Sequence, residues 1–168
     1  MATKKTKVHK IGWLNVPGYI AQTWNPIVGC SKISEGCRHN LTDKSSKGGS
    51  RELIVDPDYV ADFKALPFND CQFALGVFDP PHFARNGASG WMAKKYGTLG
   101  GDWREELHRG FQECFRVLRP SGTLIFKWCD DEIPLSQILA LTPEKPLFGH
   151  KSGKQQKTHW VAFMKPNA

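Results

Sequence analysis

No apolar run in this 168-residue chain approaches the ~20 residues that would cross a bilayer. The basic start MATKKTKVHK leads into no signal-type apolar segment with a small-residue cleavage site. A membrane role is therefore not expected, and the cytoplasm is the expected compartment. Cysteine is scarce and uneven. Cys30, Cys37, Cys71, Cys114 and Cys129 form an odd, irregularly spaced set, so reduced thiols are expected rather than a disulfide framework. Acids are outnumbered, 16 against 23 Lys and Arg, for a net charge of +7. That surplus favours a polyanionic partner through attraction to phosphates, although several of the lysines sit in the N-terminal tail and in turns. What remains is ordinary for one globular domain with a core: 40% hydrophobic and 23% charged residues, in a chain short for two domains.

The chain divides near Arg51. Residues 1–50 have little periodicity and end in the small, flexible stretch DKSSKGGS, so a basic, loosely ordered arm is expected there and one domain over 51–168. In that domain RELIV reads as a strand and DYVADFKAL as a short connection. Cys71–Phe78, CQFALGVF, has the length and near-absence of polar residues of a strand covered on both faces. A long Gly-rich segment, Ala84–Gly101, reads as a functional loop. Asp102 as N-cap, Glu105 three residues on, and Trp103, Leu107, Phe111, Cys114, Phe115 and Leu118 at helical spacing predict a helix that Pro120-Ser121-Gly122 stops. Thr123–Cys129 is a second buried strand, so a strand, a crossover helix and a parallel strand follow in order. PLSQILAL reads as a short helix, and PLFGH and KTHWVAFMK as an antiparallel hairpin on one edge of the sheet. The expected fold is α/β, a Rossmann-like sheet with a C-terminal antiparallel hairpin.

The strongest chemical signal is VFDPPHF, Val77–Phe83. It ends a strand, and in an open parallel sheet ligands bind outside the carboxyl ends of the strands. Two successive prolines stiffen the turn and hold Asp79 out of helical geometry, so a carboxylate and carbonyl acceptors can face a ligand without reorganising. A strand terminated by prolines beside a surface acid is the plainer alternative. In the following loop Trp91, Lys94, Lys95 and Tyr96 interleave aromatics with bases, a pattern that stacks bases and pairs phosphates, or that merely packs a loop. Lys127 and Trp128 end the next strand and are expected at the same crevice, with plain core packing as the alternative for Trp128. His150 and His159 read as structural, and Cys71, Cys114 and Cys129 as small core residues.

DPPH resembles the D-P-P-aromatic motif of class I S-adenosylmethionine-dependent methyltransferases that modify exocyclic amino groups. With VADFKALPFNDCQFALGVFDPPHF, KYGTLGGDW, GFQECFRVLRPSGTLIFKW and KPLFGHKSGKQQKTHWVAFMK, the stretch from about Arg51 to Lys165 resembles a phage-type group of small class I enzymes. The resemblance implies that Asp79 and the Pro80 carbonyl, with Pro81 fixing the turn, accept the substrate amine, and that His82 stacks on the base. It places Asp62 and Phe63 at the adenine of S-adenosyl-L-methionine, and no metal is required. Phe83, Trp91, Lys94, Lys95 and Tyr96 are the expected substrate contacts. Nucleic acid is the implied partner, DNA before RNA, with base flipping needed in a duplex. The family's opening strand, Gly-rich turn and second strand ending in an acid have no counterpart, because DKSSKGGSRE follows no apolar strand and opens no helix.

Thr23–Asn40, TWNPIVGCSKISEGCRHN, is instead similar to the start of phage proteins with a radical-SAM-like cysteine motif. Cys30 and Cys37 match two of the three cluster thiolates, while Asn40 stands where the third belongs. His39 with the two cysteines is an incomplete zinc set, and free thiols are the simpler reading. The alternatives to a methyltransferase are thus a non-catalytic remnant or nucleic-acid-binding accessory protein and, behind it, an iron–sulfur protein.

Overall fold

The computed structural model describes residues 24–26, 40–44, 50–54, 59–84 and 98–167. Eight strands and two helices are assigned within them. Short strand β1 (Trp24–Pro26) pairs in parallel with β4 (Tyr59–Ala61), and β2 (Asn40–Lys44) pairs antiparallel with β3 (Ser50–Ile54). The main sheet has the order β5-β6-β8-β7, built from β5 (Phe73–Phe78), β6 (Leu118–Cys129), β8 (Thr158–Met164) and β7 (Phe148–Ser152). β5 and β6 are parallel and joined through helix α1 (Trp103–Val117), while β8 runs antiparallel to both β6 and β7. The expected α/β sheet with its terminal hairpin at one edge is present. Short helix α2 (Leu135–Leu139) lies between β6 and β7.

The ends of α1 follow from its sequence. The Asp102 carboxylate accepts from the Glu105 amide at 3.3 Å, Glu105 and Glu106 stand in the first turn, and Arg116 stands in the last, each complementing the helix dipole. Leu107, Phe111, Cys114 and Phe115 turn inward on Phe78, Leu124, Phe126, Trp128 and Phe163. Arg116 ties the helix end to the preceding loop, donating to the Leu66 and Phe68 carbonyls, to Asp70 and to Glu113. Glu113 in turn accepts from the Leu66 amide at 2.7 Å. Ion pairing with Glu113 and Asp70 raises the Arg116 pKa further above its ordinary value.

Three expectations are corrected. The helix ends at Val117, and Leu118, read as helical, and Pro120-Ser121-Gly122, read as a stop, instead open β6: Leu118 pairs with Phe73 and Thr123 with Leu75, so the intervening residues bulge. Ser121 takes the bend at φ 58°, and bonds from Ser121 N to Lys165 O and from Lys165 N to Gly122 O keep it joined to the end of β8. β5, expected to be covered on both faces, is covered on one. Gly76 and Phe78 face α1 and the core, whereas Leu75 is 53% and Val77 43% exposed. Cys71, read as core, is exposed at φ 56°, while Cys114 is buried, where desolvation pushes its thiol far up.

Candidate active site

The parallel register creates the site. Val77 pairs with Ile125 and Phe78 with Phe126, so β5 ends level with Phe126, and the next residues are Asp79 and, in a β6 that continues to Cys129, Lys127. Lys127 Nζ donates to Asp79 Oδ2 at 2.6 Å, across 48 residues of sequence. The other carboxylate oxygen, Oδ1, lies 3.2 Å from His82 Nε2. Pro80 and Pro81 between them are buried, so the turn is fixed both by its rings and by packing. The His82 ring stands edge-on to Trp128, centroids 5.1 Å apart, and Trp128 is anchored by its indole N–H, which donates to the Ile133 carbonyl at 2.8 Å.

Burial alone would raise the Asp79 pKa, but hydrogen bonds and charge from His82 and Lys127 outweigh it and hold the carboxyl below its ordinary 3.8. Asp79 is therefore an anion at neutral pH. A carboxylate offers about four lone-pair directions, so two partners leave acceptor capacity for a third. His82 Nδ1 is buried with no hydrogen-bond partner. An orphaned polar atom beside a carboxylate is a position at which a bound group would be accommodated.

A second ring of charge surrounds the end of β6. His159, buried on β8, meets Asp130 Oδ2 at 2.6 Å, while Asp130 Oδ1 accepts from the Leu135 amide and so ties α2 to the same corner. Lys157 donates to Asp131 Oδ1 at 2.9 Å and Cys129 Sγ to Asp131 Oδ2 at 3.3 Å. The lysine contact first, and the thiol second, lower the Asp131 pKa, whereas burial first, and that carboxylate second, raise the Cys129 thiol. Sequence spacing pairs His159 with no acid; Asp130 comes from 29 residues away across the β6–β8 pair.

Of the cofactor candidates, Asp62 is exposed at the turn after β4, one oxygen accepting from the Lys64 amide at 2.9 Å and the other 3.6 Å from Lys64 Nζ. Phe63 is wholly buried, its ring 5.4 Å from that of Phe78, so the Asp62–Phe63 turn is packed against the strand that delivers Asp79. Phe83 is partly buried, and its carbonyl accepts from the Leu99 amide at 2.8 Å. Trp91, Lys94, Lys95 and Tyr96 lie outside the described residues, as do Cys30 and Cys37. Among the described residues no group of three or more His, Cys, Asp or Glu is placed to hold a metal, and no helix is long and apolar enough to cross a membrane.

No protein-family model and no curated protein matches the chain. Among solved structures it is similar to a protein of Pyrococcus horikoshii, with 17% identity, TM-score 0.45, and coverage of 65% of this chain and 58% of that one. It is similar to a Thermus thermophilus protein provisionally named a DNA modification methylase and solved with S-adenosyl-L-methionine, with 19% identity, TM-score 0.43, and coverage of 61% and 51%. A SAM-dependent methyltransferase of Methanosarcina mazei is similar at 11% identity and TM-score 0.43, with coverage of 66% and 67%. The chain thus spans little more than half the length of the first two.

Proposed function

We propose that this protein transfers a methyl group from S-adenosyl-L-methionine to an exocyclic amino nitrogen, with adenine in DNA as the leading substrate. The observation that carries this reading is the Asp79 carboxylate, kept anionic at the carboxyl end of the parallel β5–β6 pair and followed by two buried prolines. S-adenosyl-L-methionine, when bound, supplies an electrophilic methyl group. Asp79 and the Pro80 carbonyl accept the two amine hydrogens, which leaves the nitrogen lone pair free to point at that carbon. Because its pKa is held low, Asp79 is a weak base at neutral pH; it orients the amine, and the proton displaced from the methylated nitrogen leaves to water. His82 and Lys127 fix the carboxylate against rotation. Asp62, exposed beside the same strand, and the unpartnered His82 Nδ1 are the polar groups that fit a bound donor.

Incubation with S-adenosyl-L-methionine labelled in the methyl group and with unmethylated DNA, followed by nucleoside digestion, should put label on the adenine amino nitrogen, and Asp79→Asn should abolish it. Absence of any heat on titrating folded protein with the cofactor would overturn the reading. The burial of Phe63, which leaves no ring face for a cofactor adenine, favours a second one: a nucleic-acid-binding accessory protein that keeps the fold without turnover. The same titration separates the two.

A further inference from the structure

A cleft of about 310 Å³ lies between α1 and residues 141–144, the segment that follows α2. That volume is at the lower end of what small-molecule sites have, ~300–1,000 Å³, and such sites are likewise apolar with a few placed polar groups. His108, Phe111, Gln112 and Phe115 line it from α1, a single stripe of the helix at spacings of three and four. Phe111 and Phe115, both buried, supply its apolar lining together with Leu141 and Pro143. The two sides are tied together through the imidazole. His108 Nδ1 lies 2.7 Å from the Leu141 carbonyl oxygen, which can only accept, so Nδ1 donates, and the Gln112 amide nitrogen donates to His108 Nε2 at 3.0 Å.

The polar atoms left over are acceptors. The Thr142 hydroxyl donates to Glu144 Oε2, while Glu144 Oε1 and the Gln112 amide oxygen have no bond among the described residues. Nor does Glu144 have an ion-pair partner among them: Lys145 beside it is exposed, and Arg104, one turn before His108 on α1, is held over the Trp103 ring. The cleft thus joins an apolar space to one carboxylate without a counter-charge. We propose that it binds a small organic cation, whose ammonium donates to Glu144 Oε1 and the Gln112 amide oxygen and whose aryl or alkyl body lies on Phe111, Phe115, Leu141 and Pro143. An anion would meet the Glu144 charge with no cation to offset it, and a neutral ligand would forgo the charge-assisted bond. None of these residues belongs to the Asp79 site, so binding here is independent of the methyl-transfer reading.

The test is a titration of the nitrogen-15-labelled full chain with phenethylammonium, followed in amide proton–nitrogen spectra, with 2-phenylethanol and 3-phenylpropionate as neutral and anionic counterparts of similar size. The ammonium should give saturable shifts at residues 108–115 and 141–144, the alcohol should bind more weakly, and the carboxylate most weakly of the three. Glu144→Gln keeps the shape of the side chain and its acceptor for Thr142. It should weaken ammonium binding about tenfold to 150-fold, the loss of a hydrogen bond to a charged group, and leave the alcohol unaffected. Amide dispersion away from the cleft reads in the same spectra whether the variant is folded, and the comparison of the three compounds needs no variant at all. Equal affinity for the three, unchanged ammonium binding in Glu144→Gln, or no saturable shift at millimolar ammonium overturns the proposal. So do shifts confined to Asp79 and its neighbours, because the amine then occupies the candidate active site and not the cleft.

Discussion

Gly110 gives the sharpest test of how the core positions the site. It lies on the buried face of α1, where a Cβ would stand 2.5 and 2.6 Å from Phe63 Cδ2 and Cε2 and 2.7 Å from Phe78 Cζ. Two effects oppose one another in Gly110→Ala. Alanine favours a helix interior over glycine by about 1 kcal/mol. Against this, both rings are 0% exposed and Phe78 is wedged against Phe111 and Phe126, so neither has free space to enter. Forcing atoms into such a core costs about 1–3 kcal/mol, and two immobile rings put this site at the upper end. The net expectation is a loss of about 1–2 kcal/mol, a fall in the urea midpoint on the order of 0.5–1 M with an unchanged m value. The displaced Phe78 immediately precedes Asp79, so the proposed methyl transfer should suffer with stability. An alanine variant as stable as the native chain would show that helix and strand do not meet as closely as described.

Other consequences can be checked alongside. Lys127→Met removes the donor on Asp79 Oδ2 while burial remains, so the Asp79 carboxyl should titrate at higher pH in carbon-13 NMR than in the native chain. A depressed carboxyl pKa contributes stability that is present above the unfolded value of 3.8 and is lost as pH falls through the folded one. Asp79→Asn should therefore flatten the acid limb of the stability profile below about pH 4 and leave its neutral portion with the smaller slope it already has. Arg116→Met strands the Leu66 and Phe68 carbonyls and leaves the Glu113 carboxylate only the Leu66 amide, and should cost about 1–3 kcal/mol in chemical denaturation, the cost of polar groups that lose their partner. In pulse labelling with a thiol reagent and peptide mapping, Cys71 should react in the native chain and Cys114 only on unfolding; native labelling of Cys114 would contradict its burial.

What could be read from the sequence is what depends on short spacing. α1 was visible because its cap, its first-turn acids and its apolar stripe all lie within sixteen residues. The terminal hairpin was visible because two apolar runs flank one polar turn. The bulge at Leu118–Gly122 was not, since Pro-Ser-Gly reads equally as a helix stop, and only the bonds to Lys165 carry these residues into a strand. The composition of β5 was misleading for a related reason: an unbroken apolar run does not say which face a helix will cover, and α1 covers only the side of Gly76 and Phe78.

The candidate site divides in the same way. Asp79, Pro80, Pro81 and His82 stand together in sequence, and the side chains of Asp79 and His82 meet within three residues. Lys127 could be placed at the same strand level, but its bond to Asp79 needs the exact parallel register, in which a shift of one residue would turn it to the face occupied by Phe126 and Trp128. Asp130 with His159, and Lys127 with Trp160, depend on β6 meeting β8 in one register out of many. Two registers thus meet at Lys127, β5 on β6 for its bond to Asp79 and β6 on β8 for its place over Trp160. A change that slips β8 against β6 should therefore move the exposed indole away from Lys127 and leave the Lys127–Asp79 bond, whereas a slip of β6 against β5 should break that bond.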